Sequence, residues 1–167
     1  MKNILVVYAH PTYESSRMNR ALINEITGLE NVTVSDLYYK YHNSNIDIVQ
    51  EQDLILKNDL ILLQFPFYWF STTPLMKMWI DQVFADGFAY GVDGNKLHGK
   101  DFMYCITTGG SRQRYKNEVG FDFPDLLKPF EYTAKFCGMN YKSPFVVTDE
   151  TDGKRGISDN DLSILIL

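Results

Sequence analysis

Five short apolar runs alternate with segments of helical character along the chain. The pattern predicts strands over residues 4–8, 31–37, 60–63, 102–106 and 145–147. Helical periodicity and helix-end signals predict helices over residues 15–26, 46–58, 74–84 and 125–137. Most of the strand runs are continuously apolar, which is typical of strands covered on both faces. Regular alternation of this kind predicts a parallel sheet with helices on both faces.

Several segment ends carry specific signals. Thr73 before Pro74 is the N-cap residue followed by a first-turn proline that opens a helix. Gly138 is expected to close the last predicted helix. The segment 86–99 holds four of the eleven glycines and predicts a loop or short hairpin, which could overhang a pocket. A further helix start is predicted at Ser158.

Length, charge and cysteine content narrow the class of protein. A chain of 167 residues with 45% apolar residues is expected to form a single globular domain, residues 1–167. Its net charge of −5, with scattered Lys and Arg, argues against nucleic-acid binding. Cys105 and Cys137 make neither a disulfide framework nor a zinc motif, so no metal site is expected. Because the sequence shows no signal peptide and no membrane span, we expect a cytoplasmic protein.

Parallel sheets bind their ligands at the carboxyl ends of the strands, which directs attention to the loops 10–16, 65–73 and 107–115. The first loop contains no glycine, which excludes the dinucleotide fingerprint and the P-loop. It places hydroxyl groups at a helix start, where free N–H groups and the helix dipole favour a phosphate. The alternative is that Ser15 or Ser16 only caps the helix. For His10, a structural hydrogen bond and a ligand contact are both open.

Aromatic residues crowd the second loop, from Phe65 to Phe70. Aromatic side chains at a solvent-exposed strand end are expected to pack against a flat, apolar ligand. A tricyclic ring such as flavin is a ligand of this kind. A hydrophobic cluster or a subunit interface is the alternative. In the third loop, Gly109 and Gly110 would let the backbone approach a ligand and donate to ring carbonyls. Tyr115 could donate a proton to a ring that gains electrons, or it could simply be packed.

Four motifs together resemble the flavodoxin-like NAD(P)H:quinone oxidoreductase family, which includes general-stress and drug-modulator type reductases. They are YAHP at 8–11 followed by Ser16 and Asn19, FPFYWFS-TT-PLMKMWIDQVF at 65–84, TTGG at 107–110 followed by Tyr115, and KPFEYTAKFCGM at 128–139. The likeness spans residues 3 to 148, and the second motif is long and specific. It implies a flavodoxin-like α/β fold, a five-stranded parallel sheet of order 2-1-3-4-5, and active sites completed by a second subunit.

The resemblance also implies a non-covalent flavin, with FMN favoured by the short chain and FAD as the alternative. The phosphate and ribityl chain would be held by His10, Ser16, Arg17, Met18 and Asn19. The ring would be packed by Pro66, Phe67, Tyr68, Trp69 and Phe70, and its polar edge would be bonded by Thr107, Thr108, Gly109 and Gly110. Tyr115 would take the place of the catalytic tyrosine of the family. Larger members carry a histidine six residues further on, where this chain has Phe121, which puts a Tyr–His relay in doubt.

These features lead to the hypothesis of a homodimeric flavoprotein that oxidises NAD(P)H and then reduces a quinone or a similar acceptor in a ping-pong reaction. Two other classes stay open. Relatives in this family serve as ancillary regulatory subunits of glutathione-gated potassium efflux systems, which would require a membrane-protein partner. An electron-carrier flavodoxin is the second alternative, although the first loop lacks the Thr/Ser-Gly pattern of true flavodoxins.

Overall fold

The computed structural model describes residues 1–148, which fold around a parallel sheet. Its strands are β1 Ile4–Tyr8, β2 Val32–Asp36, β3 Leu60–Pro66, β4 Asp101–Thr108, β5 Asn140–Tyr141 and β6 Phe145–Thr148. They are arranged in the order β2-β1-β3-β4-β5, and β6 also pairs with β4. The flavodoxin-like α/β fold and the 2-1-3-4-5 order are therefore confirmed. The fifth position is filled in two pieces, because Pro144 in the break between β5 and β6 has no N–H to donate.

The helices are α1 Arg17–Ile26, α2 Leu37–Lys40, α3 Ile48–Leu56, α4 Pro74–Val83, α5 Arg112–Arg114, α6 Phe123–Leu126 and α7 Lys128–Phe136. On one face of the sheet, the core is completed by side chains of α3, α4 and α7. On the other face, Leu22, Ile23 and Ile26 of α1 pack against β1, β3 and β4. Helices thus cover both faces, as the pattern predicts. Among residues 1–148, no helix is long and apolar enough to cross a membrane.

Two details differ from the expectations. The predicted helix over 125–137 is interrupted at Leu127, because Pro129 lies in the first turn of α7 and lacks the N–H that would continue α6. Thr73 occupies the N-cap position of α4, yet its hydroxyl donates to the Ala9 carbonyl at 3.4 Å instead of capping the helix. Gly138 does follow α7 with a φ of 69°, as a C′ glycine should.

The glycine-rich segment 86–99 is a loop with an isolated bridge between Asp86 and Tyr90, not a hairpin. Its end is fixed by a 2.9 Å hydrogen bond from the Gly99 N–H to the Gly138 carbonyl, just before β4 begins. It therefore ends at the amino edge of the sheet, opposite the three candidate loops. The predicted helix start at Ser158 lies outside the described residues.

Candidate active site

The three candidate loops meet at the carboxyl ends of β1, β3 and β4 and enclose a cavity of about 250 Å³. The cavity is lined by His10, Ser15, Ser16, Arg17, Met18, Asn19, Pro66, Phe67, Tyr68, Thr107, Thr108 and Gly109. Most of the predicted cofactor residues are thus brought together, and Ser15 is added to them. Trp69, Phe70, Gly110 and Tyr115 do not line this cavity.

The amino-terminal end of α1 forms one wall and leaves a polar group unsatisfied. Ser16 is the N-cap residue of α1, but its side chain makes no capping bond. It is 4% exposed, and its Oγ has no hydrogen-bond partner within the described part of the chain. A buried hydroxyl beside the free N–H groups of a ten-residue helix fits a phosphate oxygen, which would supply the missing acceptor.

His10 lies at the base of the same wall with its tautomer fixed by the backbone. Its Nδ1 accepts a hydrogen bond from the Thr12 N–H at 3.2 Å, so the proton of the neutral ring is carried by Nε2. The ring is 8% exposed, and burial lowers the pKa of His10 below its ordinary value. A neutral imidazole that donates through Nε2 remains compatible with both interpretations of this residue.

The second loop closes in a tight turn with a strained backbone. Tyr68 and Ser71 exchange two backbone hydrogen bonds of 3.1 and 2.9 Å, which makes Trp69 and Phe70 the two central residues. Both have positive φ angles, 49° and 62°, as in a type I′ turn that normally takes Gly or Asn. Phe67, which precedes the turn, is buried, whereas Trp69 in the turn points outward and is 93% exposed. The turn was not predicted, because no glycine or asparagine marks it.

In the third loop, Thr108 connects the backbone to the candidate catalytic residue. The Gly110 N–H donates to Thr108 Oγ1 at 3.1 Å. The Thr108 hydroxyl has two acceptors within reach, the Tyr115 hydroxyl oxygen at 2.9 Å and the Gly110 carbonyl oxygen at 3.3 Å. The Gly110 N–H is therefore used in a hydrogen bond within the loop. A Cβ at Gly110 would lie 3.0 Å from the Tyr115 ring, so glycine allows the ring to pack here. Gly109, Gly110 and Tyr115 line an adjoining cavity of about 320 Å³.

The local backbone around Tyr115 is unusual. A π-helical turn spans Tyr115–Val119 and ends at Gly120, whose φ is 83°. Single π-turns of this kind are frequent at functional sites. The Tyr115 ring packs 4.9 Å from the ring of Phe123, while Phe121 is 55% exposed. The described hydroxyl partner of Tyr115 is therefore Thr108, and the residue at the position of the family histidine is a solvent-exposed phenylalanine.

Gln64 is a site residue that the sequence interpretation missed. It lies beneath the cavity near the end of β3, 1% exposed, and its side-chain nitrogen donates to the Asn19 carbonyl at 2.9 Å. The signal was present in the sequence, since Gln64 interrupts the apolar run 60–65. Within residues 1–148, no cluster of His, Cys, Asp and Glu could hold a metal ion.

Fold and site together define a flavodoxin-like protein. The family model for the flavodoxin-like fold matches residues 2–162, so the chain belongs to this family, and the resemblance inferred from the motifs is confirmed. General stress protein 14 of Bacillus subtilis is 41% identical over 145 residues, which are 86% of this chain and 83% of that protein.

Two solved structures show the same likeness. The general stress protein 14 of Treponema denticola, crystallised in complex with FMN, superposes with a TM-score of 0.90 at 31% identity, covering 98% of this chain and 96% of that one. An NADPH-quinone reductase from P. pentosaceus gives a TM-score of 0.83 at 29% identity, covering 98% of this chain and 94% of that one.

Proposed function

We propose that this chain is a flavin-dependent NAD(P)H oxidoreductase that binds FMN without a covalent bond and reduces quinones or similar acceptors. The observation that carries the proposal is the make-up of one cavity, which is lined both by Phe67 and Tyr68 and by Ser16 at a helix N-terminus, whose buried hydroxyl has no partner among residues 1–148. A phosphate-bearing ligand with a flat aromatic ring matches both halves. The FMN complex of the Treponema relative supports FMN over FAD.

Each wall then has a proposed task. Ser16, with the first N–H groups of α1, would bind the phosphate, and Arg17 would neutralise part of its charge. The loop from Thr107 to Gly109 would hydrogen-bond the polar edge of the ring, while Phe67 would cover its apolar part. Trp69 and Phe70 lie beyond the cavity wall, so we assign them to the rim, where an acceptor or a second subunit would meet them.

Tyr115 is the proposed proton donor. Thr108 Oγ1 lies 2.9 Å from the Tyr115 hydroxyl oxygen and 3.3 Å from the Gly110 carbonyl oxygen. With Thr108 donating over the shorter distance, Tyr115 keeps its own proton for an acceptor in the cavity beside it. The Gly110 N–H donates to the same Thr108 oxygen and holds it beside Tyr115. When bound, the flavin supplies hydride transfer between NAD(P)H and the acceptor, and the protein supplies binding and orientation.

The test begins with the visible absorption spectrum of the purified protein and the mass of the cofactor that it releases. We expect a yellow protein that releases FMN and oxidises NADH or NADPH in the presence of a quinone, with the parallel double-reciprocal plots of a ping-pong reaction. Tyr115→Phe should retain FMN and lose at least tenfold in kcat. A protein that binds FMN tightly but oxidises neither nucleotide with any of several quinones would instead be an electron carrier or a regulatory subunit.

We further propose that the protein acts as a homodimer. Large apolar side chains stand exposed at the rim of the site on the lone chain, namely Trp69 and Phe70. Burial of such side chains favours association, and a second copy would cover the open rim of the site. Analytical ultracentrifugation should give twice the chain mass, and Trp69→Ser with Phe70→Ser should shift the protein toward the monomer. A wild-type monomer at micromolar concentration contradicts this proposal.

A further inference from the structure

We infer that Gln64 is a positioning residue of the proposed flavin site, an inference that rests on the proposed function. Gln64 fixes the direction of a buried chain of hydrogen bonds, so that the hydroxyl of Thr107 on the cavity wall is offered to the ligand as a donor. The inference depends on three side-chain contacts beneath the cavity.

The first observation is the position of Gln64 in the sheet. Along β3, Leu60 and Leu62 point to the face covered by α1 and belong to its apolar core. Because side chains alternate along a strand, Gln64 is the next residue on that face. A side chain at this position that is 1% exposed would ordinarily be apolar, since burying an amide is costly unless it is hydrogen-bonded. The polar group therefore requires a specific partner.

The partner is Asn19 in the first turn of α1. Gln64 Nε2 donates to the Asn19 carbonyl at 2.9 Å and approaches Asn19 Oδ1 at 3.4 Å. Asn19 is itself 2% exposed, and its Nδ2 donates to Thr107 Oγ1. The chain thus runs from β3 through the start of α1 to the end of β4. It joins two of the three walls of the cavity.

The direction of the chain follows from its beginning. A backbone carbonyl can only accept, so the end of Gln64 that faces the Asn19 carbonyl must be its NH₂ group. That NH₂ group also faces the Asn19 side chain, which must therefore present its oxygen to Gln64 and its NH₂ group to Thr107. Thr107 Oγ1 then accepts a bond and keeps its own proton for another acceptor. Asn19 and Thr107 both line the cavity, where a ligand carbonyl or ring nitrogen would be that acceptor.

Without Gln64, this direction would be lost. A carboxamide is nearly symmetric in shape, so Asn19 could rotate by half a turn and present its oxygen to Thr107. The Thr107 hydroxyl would then donate to Asn19 and offer only lone pairs to the ligand. Gln64 would act on the ligand through Thr107 without touching it.

The test is a double-mutant cycle on FMN affinity, measured by quenching of flavin fluorescence. Gln64→Leu keeps the bulk of the side chain and removes its amide, whereas Thr107→Val keeps the shape and removes the hydroxyl. Each single variant should weaken FMN binding about tenfold, which is about 1.4 kcal/mol. In the Thr107→Val background, Gln64→Leu should add no further loss, because both act on the same bond. Both variants should also shift the visible flavin absorption band in the same way.

The matched control is Leu62→Val, two residues earlier on the same face of β3. It should lower the urea midpoint of unfolding and leave the FMN dissociation constant unchanged. The inference is overturned if Gln64→Leu binds FMN as well as the wild type, or if its tenfold effect persists fully in the Thr107→Val background.

A second cycle separates this inference from the proposed function. In the apoprotein, the shifts of the urea midpoint caused by Gln64→Leu and Asn19→Ala should be clearly non-additive, and this measurement needs no flavin. If the wild type binds no FMN, the proposed function fails together with the ligand half of the inference, while non-additivity would still establish the buried chain. Additive shifts would show that Gln64 and Asn19 are not coupled, which would overturn the inference.

Discussion

The indole nitrogen of Trp79 donates a 2.9 Å hydrogen bond to Glu51, and both side chains are fully buried. The same carboxylate accepts from Ser35, Lys40 and Tyr41, which come from β2, α2 and the residue after it. Burial, together with Glu51, raises the pKa of Tyr41, so its hydroxyl remains a donor at neutral pH. One carboxylate thus ties α3 and α4 to the edge of the sheet, and α4 fixes the far end of the aromatic loop.

Replacing this carboxylate should be strongly destabilising. In Glu51→Gln, the NH₂ group must face at least one of the four donors, which leaves a buried donor without an acceptor and Lys40 without its counter-ion. We expect the free energy of unfolding to fall by about 3 kcal/mol, as measured by urea denaturation. The exposed pair Lys77–Asp81 provides the control, because Lys77→Gln should leave the unfolding free energy nearly unchanged. Equal effects of the two substitutions would contradict this account of Glu51.

The strained turn predicts an order of stability at position 69. Trp69 holds a positive φ and is 93% exposed, so its ring contributes little burial in exchange for the strain. Trp69→Gly should therefore raise the unfolding free energy of the apoprotein by about 1 kcal/mol, and Trp69→Val should lower it by a similar amount, because β-branched residues tolerate this conformation least.

Tyr132 on the exposed side of α7 is the control for the turn variants. It is also an exposed aromatic residue, 63% accessible, but it lies in a helix. Tyr132→Gly should lower the unfolding free energy by about 1 kcal/mol, which is opposite in sign to the effect of Trp69→Gly. If Trp69→Gly also destabilises the apoprotein in a urea titration, the turn is not strained in solution.

Much of the fold was accessible from the sequence because its signals are local. The apolar runs located the strands, and Pro74 and Gly138 marked the ends of α4 and α7. The features that the sequence did not predict depend on tertiary contacts. The hydroxyl of Thr73 bonds Ala9, 64 residues away, and the break before α7 depends on how Pro129 is accommodated. Such choices are decided by tertiary contacts, which no short window of sequence contains.

The candidate site was likewise predicted only in part. The motifs located the residues that line the cavity, yet they gave no means of placing the ring of Trp69, since its direction follows from a tight turn that no glycine or asparagine marks. Gln64 was overlooked because its partner, Asn19, is 45 residues distant along the chain. A polar residue inside an apolar run was the available signal, and it is a useful one to search for.

The buried imidazole of His10 gives the apoprotein a pH dependence. Burial holds the pKa of folded His10 below its ordinary value of about 6.5 in an unfolded chain. As the pH falls through 6.5, the unfolded chain therefore binds a proton before the folded protein does, and stability decreases. His10→Gln should flatten this part of the curve of unfolding free energy against pH and leave the slope above pH 7.5 unchanged. Parallel curves for the two proteins between pH 5 and 7 would show that His10 is not desolvated in solution.

Replacing Ser16 should change the stability of the apoprotein and the affinity for FMN in opposite directions. An N-cap serine usually stabilises its helix, so its loss costs about 1 kcal/mol. Ser16 makes no capping bond and is buried without a partner among residues 1–148, so Ser16→Ala removes a desolvation cost and should raise the unfolding free energy of the apoprotein by about 1 kcal/mol. The same substitution should weaken FMN binding by at least tenfold, because the phosphate loses a donor.

Ser35→Ala is the matched control, since this equally buried serine is fully paired with Glu51 and its loss should lower stability without changing FMN affinity. If Ser16→Ala destabilises the apoprotein and binds FMN as the wild type does, Ser16 is a structural cap and the phosphate must be sought elsewhere.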